Sequence, residues 1–350
     1  MQKLFYTSLK QYTATALKFY FFKWQIRQTS PIPQGPVIFV SNHQNAFLDA
    51  ILIVCSTSRD PWFLARANVF KKDWAKKVLS WMQMSPVYRF RDGFSTLRKN
   101  DEVIDNCVQL LSQQQSIVLF GEGNHNDQWY LRPLQKGFAR IAITAEERNN
   151  WNLGVNIVPI GIQYESHTAF RSRVLVSFGD AINVKEYFNH EGSAQENFEQ
   201  LIQQTSEGIK KLMLHIDPEN YESKFSFWRS HRQWKQDLIE QLEVDQKVVD
   251  EYPTASTPSS QVMGQTQSWW NPIRIYESIN NFLPRFFLRS VIKNKVKDPQ
   301  FIGSIKFALG MFIVPLFYLI QTGLCFAVSQ SWIISLGYFV SLPVCVSLRR

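Results

Sequence analysis

Val37-Ile38-Phe39-Val40-Ser41-Asn42-His43-Gln44-Asn45-Ala46-Phe47-Leu48-Asp49-Ala50-Ile51-Leu52-Ile53-Val54-Cys55 is the stretch whose reading decides the fold. Val37–Val40 is a short apolar run with strand character. The polar residues after it end the strand, and Leu48–Cys55 reads as a helix. The same unit recurs on both sides. Strands are predicted at 62–65, 86–90, 116–120, 155–162 and 174–178, with helices near 69–82, 95–112 and 137–148 between them. Alternating strands and helices predict an α/β fold with a mostly parallel central sheet flanked by helices. In such a sheet the polar segment 41–45 lies at the C-terminal strand edge, where open α/β sheets bind ligands.

The flanking regions have different characters. Residues 1–34 are aromatic and apolar but broken by Lys3, Lys10, Lys18 and Lys23, with no uncharged run of the ~18–20 residues needed to span a bilayer. They predict an amphipathic helix at a membrane interface, with its lysines reaching toward phosphates. No small-residue cleavage site follows, so a cleaved leader is not expected. Residues 35–220 are expected to form the catalytic domain, closed by a helical stripe through Phe198, Leu201, Ile202, Thr205, Ile209, Leu212, Met213 and Ile216. Residues 221–252 read as a polar, exposed helix. Residues 253–268, PTASTPSSQVMGQTQS, read as a flexible linker.

Beyond the linker, 269–350 reads as a membrane-anchoring region. Phe307–Val328 and Trp332–Leu348 contain no charged residue, which predicts two transmembrane helices at about 307–328 and 332–348, kinked at Pro315 and Pro343. Lys293, Lys295, Lys297 and Lys306 precede the hairpin, and Arg349 and Arg350 follow it. Basic flanks stay on the cytoplasmic side, so the catalytic domain is expected to face the cytoplasm.

Composition narrows the partners. Of 350 residues, 45% are hydrophobic and 19% charged, which supports a large core and excludes global disorder; the net charge of +9 favours an anionic partner. The 27 Phe, 12 Tyr and 11 Trp favour a membrane surface, and no nucleic-acid-binding motif is visible. Cys55, Cys107, Cys325 and Cys345 are too scattered for a zinc knuckle or a disulfide framework, so a reducing compartment is expected.

Four short blocks carry candidate chemistry. In the first, His43 could take a proton near neutral pH, with Asp49 holding the ring and Asn42 beside it. In the second, a strand ends in Arg89 and Arg91, whose forked guanidinium groups suit a phosphate. In the third, a strand runs into Gly121-Glu122-Gly123-Asn124-His125, followed by the basic stretch from Arg132 to Lys136. The fourth, Asn156–Ile162, reads as a buried strand that shapes a wall. Each block taken alone also fits a purely structural role. A metal site on His43, Glu122 and His125 lacks any recognised ligand spacing.

Together, in this order, the blocks resemble the glycerolipid acyltransferase family, which includes glycerol-3-phosphate and 1-acylglycerol-3-phosphate acyltransferases. The matches are Asn42, His43 and Asp49; Pro86, Val87 and Arg89; Phe120, Glu122 and Gly123; and Val158, Pro159 and Ile160. The resemblance covers roughly residues 35–215. It implies transfer of a fatty acyl group from acyl-CoA or acyl-carrier protein to the hydroxyl of glycerol 3-phosphate or its monoacyl form, with no cofactor and no metal. His43 and Asp49 are the implied catalytic residues. Asn42, Arg89, Arg91, Glu122, Gly123, His125, Arg132 and Lys136 are the implied substrate contacts. Another lysophospholipid or a lyso-aminolipid as acceptor, or a non-catalytic lipid-binding role, is the alternative.

The chain departs from the family pattern at three places. Five residues rather than four separate His43 from Asp49, which in a continuous helix would turn the acid by about 100°; the dyad requires Gln44–Ala46 to absorb the extra residue. Gly121, Asn124 and His125 stand where the family has Pro, Thr or Ser, and Arg. Gln83 stands where the family has the Gly that leads the second block. Backbone N–H groups near Gly121 and Gly123, or at the helix start after His43, are the expected oxyanion donors.

Overall fold

The computed structural model describes residues 1–87, 96–252 and 271–348. The elements run α1 (Gln2–Tyr20), β1 (Lys23–Gln28), β2 (Val37–Ser41), α2 (Ala46–Ser56), β3 (Trp62–Arg66), α3 (Asp73–Trp81), β4 (Met84–Val87), α4 (Thr96–Ser112), β5 (Ser116–Phe120) and α5 (Gly137–Arg148). They continue with β6 (Asn156–Tyr164), β7 (Arg173–Phe178), β8 (Ile182–Asn183), α6 (Ala194–Lys210), α7 (Tyr221–His231), α8 (Leu238–Asp250), α9 (Pro272–Asn280), α10 (Phe282–Lys295), α11 (Ile302–Ser329) and α12 (Trp332–Leu348).

The strands form one sheet in the order β1-β7-β6-β2-β5-β3-β4, with the short β8 also on β6. All neighbours pair in parallel except β7 and β8, which run antiparallel to β6. The strand β2 is central, paired with both β5 and β6, and every one of its residues is buried. Alternation along a strand sends successive side chains to opposite faces. Ile38 and Val40 join one core with residues of α4, α5 and α6, while Val37 and Phe39 join the other with residues of α1, α2 and α11. That double burial is why the run shows no polar alternation. Pro159 lies inside β6, between the residues that pair with β8 and those that pair with β7. Its carbonyl accepts from Gly179 at 2.8 Å on that edge, so its missing N–H falls at the break between the two strands.

The structure corrects two expectations. The N-terminal helix ends at Tyr20, and Lys23–Gln28 is a strand paired residue by residue with β7. The alternation Trp24, Ile26 with polar neighbours is a period of two, which the aromatic bias of the segment conceals. Residues 221–252 form two helices rather than one exposed helix. Trp228, Leu238, Leu242, Val248 and Val249 pack with Leu175 of β7 in a third core. Pro315 and Pro343 lie within α11 and α12. The predicted linker and Arg349–Arg350 lie outside the described residues.

The two C-terminal helices differ. Residues Pro299–Ser329 are long and apolar enough to cross a membrane, and only 6% of their most apolar window is covered by protein. The 17 residues of α12 are apolar but shorter. Before them, α9 and α10 expose Ile275, Ile279, Phe282, Leu283, Phe286 and Phe287.

Candidate active site

The strand β2 stops at Ser41, and Asn42 replaces the next rung of the ladder with its side chain. Its amide donates to the Ile162 carbonyl at 3.0 Å and accepts from the Ile162 N–H at 2.8 Å. Asn42 is fully buried, so it pins the turn to β6 rather than facing a ligand. His43 follows as the first residue free of the sheet.

Asp49 lies in the first turn of α2 and is fully buried. Its Oδ2 accepts from the N–H groups of Gln44 at 2.9 Å and Asn45 at 2.8 Å, and lies 2.8 Å from His43 Nδ1. Tyr164 donates to Oδ1 at 2.6 Å from the end of β6, its own hydroxyl held far above the usual phenol range by burial and by Asp49. Four donors around one carboxylate fix its orientation. A carboxylate accepts, so Nδ1 carries the imidazole proton and Nε2 the lone pair. Nε2 makes no hydrogen bond among the described residues, and the side chain keeps 15% exposure. One ring face stacks on Phe120, with centroids 4.0 Å apart and planes at 13°.

The extra residue between His43 and Asp49 is absorbed before the helix. Ala46 has φ 44°, a left-handed conformation that a residue with a Cβ adopts at a cost of roughly 1–2 kcal/mol. One residue turned this way brings Asp49 back under the ring.

Glu122 brackets the other side of His43. Its Oε1 accepts from the His43 backbone N–H at 2.8 Å, and its Oε2 accepts from Arg132 Nε at 2.8 Å. Burial pushes this carboxyl up, against the pull of Arg132 and the His43 N–H. Arg132 also donates to the Asn124 carbonyl and remains partly exposed. The Asn126 N–H donates to the His43 carbonyl at 2.9 Å. Gly123 has φ 70°, which suits glycine, and a Cβ at Gly121 would come within 2.9 Å of Leu134 and 3.2 Å of Val40. His125 meets the His43 ring edge-on at 5.5 Å and Phe301 at 4.7 Å.

Several expected residues stand differently. Lys136 is the exposed residue before α5; Gln135 beside it donates to the Gly121 carbonyl at 2.7 Å. Arg89 and Arg91 lie outside the described residues. The expected oxyanion donors are largely engaged. Gln44 and Asn45 donate to Asp49, and the Gly123 N–H donates to the Phe120 carbonyl at 3.1 Å.

The comparisons bear on this geometry. Residues 23–163 match the family model described as Acyltransferase. Glycerol-3-phosphate O-acyltransferase 1 of Saccharomyces cerevisiae is 32% identical over 128 residues, 34% of this chain and 17% of that protein. The chloroplastic 1-acyl-sn-glycerol-3-phosphate acyltransferase BAT2 of Brassica napus is 28% identical over 142 residues, 40% of this chain and 37% of that protein. Residues 23–163 thus carry an acyltransferase-family segment, similar to that of glycerolipid acyltransferases. The crystal structure of the 1-acyl-sn-glycerophosphate acyltransferase PlsC from Thermotoga maritima superposes with a TM-score of 0.44 at 14% identity, covering 67% of this chain and 83% of that one. The matches to the two curated relatives span well under half the length of either.

Residues that the motifs do not announce also reach this turn. Tyr164 lies just past the Val158-Pro159-Ile160 block, and a tyrosine ending a buried apolar strand was the one available signal. Ser304, at the start of α11, had none. Its hydroxyl donates to the Asn45 carbonyl at 2.5 Å and accepts from the Leu48 N–H at 3.1 Å. Asn45, at the N-cap position of α2, makes no side-chain cap of its own. Ser304 supplies that cap from a distant helix. Next to it, a Cβ at Gly303 would fall 2.2 Å from the His167 carbonyl oxygen and 2.6 Å from Asn45 Oδ1. The apolar helix α11 is thus seated directly on the turn that carries His43 and Asp49.

Proposed function

We propose that this chain is an O-acyltransferase that moves a fatty acyl group from an acyl-CoA or acyl-carrier-protein thioester to the hydroxyl of glycerol 3-phosphate or 1-acylglycerol 3-phosphate. His43 Nε2 removes the hydroxyl proton as the oxygen attacks the thioester carbonyl. Asp49 stabilises the imidazolium that results. The tetrahedral intermediate then collapses and expels the thiolate, which takes a proton. No acyl-enzyme is required, because the thioester is already activated. Arg132 and His125, beside His43, meet the acceptor phosphate, with Lys136 and the arginines at 89 and 91 as further cations. The observation that carries this reading is the 2.8 Å contact of His43 Nδ1 with a buried, four-fold-bonded Asp49, which leaves Nε2 without a partner among the described residues.

The reading includes a membrane setting. The apolar helix α11 crosses the bilayer with α12 as its hairpin partner, and the catalytic domain rests on the cytoplasmic face. The helix α3, which buries none of its residues and carries Trp74, Lys76, Lys77 and Trp81, lies toward the headgroups.

The test is release of free thiol from acyl-CoA and from acyl-carrier protein by purified full-length protein, with each acceptor in turn and products identified by mass spectrometry. The reading requires release that depends on both His43 and a glycerol-phosphate acceptor. Release without an acceptor, or the same release from His43→Ala, overturns it.

A further inference from the structure

A cavity of about 560 Å³ lies between α1 and the C-terminal helices, and none of the residues around the dyad lines it. We propose that it holds one anionic glycerophospholipid of the bilayer, by its phosphate and an acyl chain, at a site separate from the reaction centre. The inference rests on the membrane setting of α11.

Three observations carry it. First, the space is real on the α11 wall: a Cβ built on Gly310 meets nothing within 4 Å. The volume falls in the range of about 300–1,000 Å³ common for small-molecule sites. Second, the walls divide by chemistry. Met311, Val314, Pro315, Phe339 and Pro343 give an apolar run suited to an acyl chain. Arg171, Arg285, Arg289 and Lys306 supply four cations against a single carboxylate, Glu277. Arg285 and Arg289 stand one turn apart on the same face of α10. Glu277 is bonded to Arg285, whereas Arg289 makes no hydrogen bond or ion pair among the described residues. Third, the cavity adjoins a helix whose apolar surface is uncovered by protein, so a lipid can reach it from the bilayer without crossing water. A phosphate on a hydrocarbon tail complements both halves of such a wall. A zwitterionic lipid carries a cation of its own that these residues repel.

A bound lipid here would fill the space beside α11, the helix that caps the dyad turn through Ser304. The site is therefore placed to matter for the anchor's seating without taking part in the reaction.

The test uses full-length protein, delipidated in detergent and then offered phosphatidate or phosphatidylcholine of equal chain length, with retained lipid counted by native mass spectrometry. The expected result is one phosphatidate retained per chain and a clear preference over phosphatidylcholine. Each cation near a headgroup contributes about fivefold to binding, so Arg289→Glu should lower phosphatidate retention by at least about fivefold and leave phosphatidylcholine unchanged. Gly310→Phe should abolish retention by filling the space, with thiol-release activity intact. Arg289 is exposed, so its variant keeps the test decisive if Gly310→Phe does not fold. Equal retention of both lipids, or no loss in Arg289→Glu, overturns the proposal. So does competition in which lysophosphatidate displaces the lipid and is acylated from that site, because the cavity would then belong to the reaction.

Discussion

Two buried polar clusters in this molecule are made of the same materials and do different work. Around Asp49, a tyrosine hydroxyl, two backbone N–H groups and the His43 imidazole converge on one carboxylate, and the second ring nitrogen makes no hydrogen bond among the described residues. Around Asn281, the Tyr318 hydroxyl donates to its side chain at 2.9 Å, Tyr338 donates to Asn280 at 2.5 Å, and Gln321 donates to the Asn280 carbonyl at 2.7 Å. Buried Glu277 bonds Arg285 in the same region. This second cluster ties α9 and α10 to α11 and α12, and its spare acceptor, Gln321 Oε1, is buried. Polar side chains between apolar helices give specific association that non-directional apolar contact does not. Burial and hydrogen bonding alone therefore do not mark a catalytic centre. What sets the first cluster apart is that its unused acceptor belongs to a side chain solvent still reaches, His43, whereas the unused Gln321 Oε1 of the second is buried.

The largest test of that contrast is His43→Ala, expected to lower kcat by about 10²–10⁴-fold with an unchanged melting temperature. Its counterpart, Tyr318→Phe, should leave kcat alone and lower stability by about 1 kcal/mol in thermal unfolding. An equal loss of turnover from both variants would erase the distinction.

Ser304 joins the two regions and should give an intermediate effect. Ser304→Ala removes one cap of α2 and is expected to lower kcat by about fivefold, equivalent to about 1 kcal/mol, with KM for the acceptor little changed. Ser304→Thr, which keeps the hydroxyl, should restore most of it if the space admits the methyl. A shift in the pH profile of kcat in Ser304→Ala, matched by rescue in the threonine variant, would distinguish positioning of the dyad from a general loss of fold.

Acid should separate the regions by a smaller margin. His215 Nδ1 accepts from the Leu131 N–H at 3.0 Å, beside Arg132, and burial with nearby Lys210 pushes its pKa down to about 4. The unfolded chain takes up this proton near pH 6.5 and the folded chain only near 4. Stability from this group is thus complete above about pH 6.5 and falls as pH drops toward 4. Partial exposure of the ring keeps the effect modest. His215→Gln should flatten the acid side of the stability curve, measured by thermal unfolding from pH 7 to 4.

The smallest effect concerns the turn itself. Ala46→Gly relieves the left-handed strain but loosens the unfolded chain, so a net gain within about 1 kcal/mol and unchanged turnover are expected.

By itself the sequence determined the local story. Short apolar runs separated by helical stripes gave the parallel sheet, because burial on both faces forces β2 to be apolar throughout. Motif order pointed to His43, Asp49 and Glu122, which the fold brings together, and two charge-free stretches became the apolar helices α11 and α12. Tertiary structure decided what periodicity cannot express. Lys23–Gln28 is a strand because β7 offers an edge to it, and 221–252 folds into two packed helices because Leu175 supplies a core partner. The odd spacing of His43 and Asp49 was resolved by one positive φ at Ala46, which no pattern of residue types encodes. Tyr164 and Ser304 reach the dyad turn from far along the chain. Hydrogen bonds depend on distance in space, and the chain interval between Asn45 and Ser304 carries no trace of the 2.5 Å that separates them.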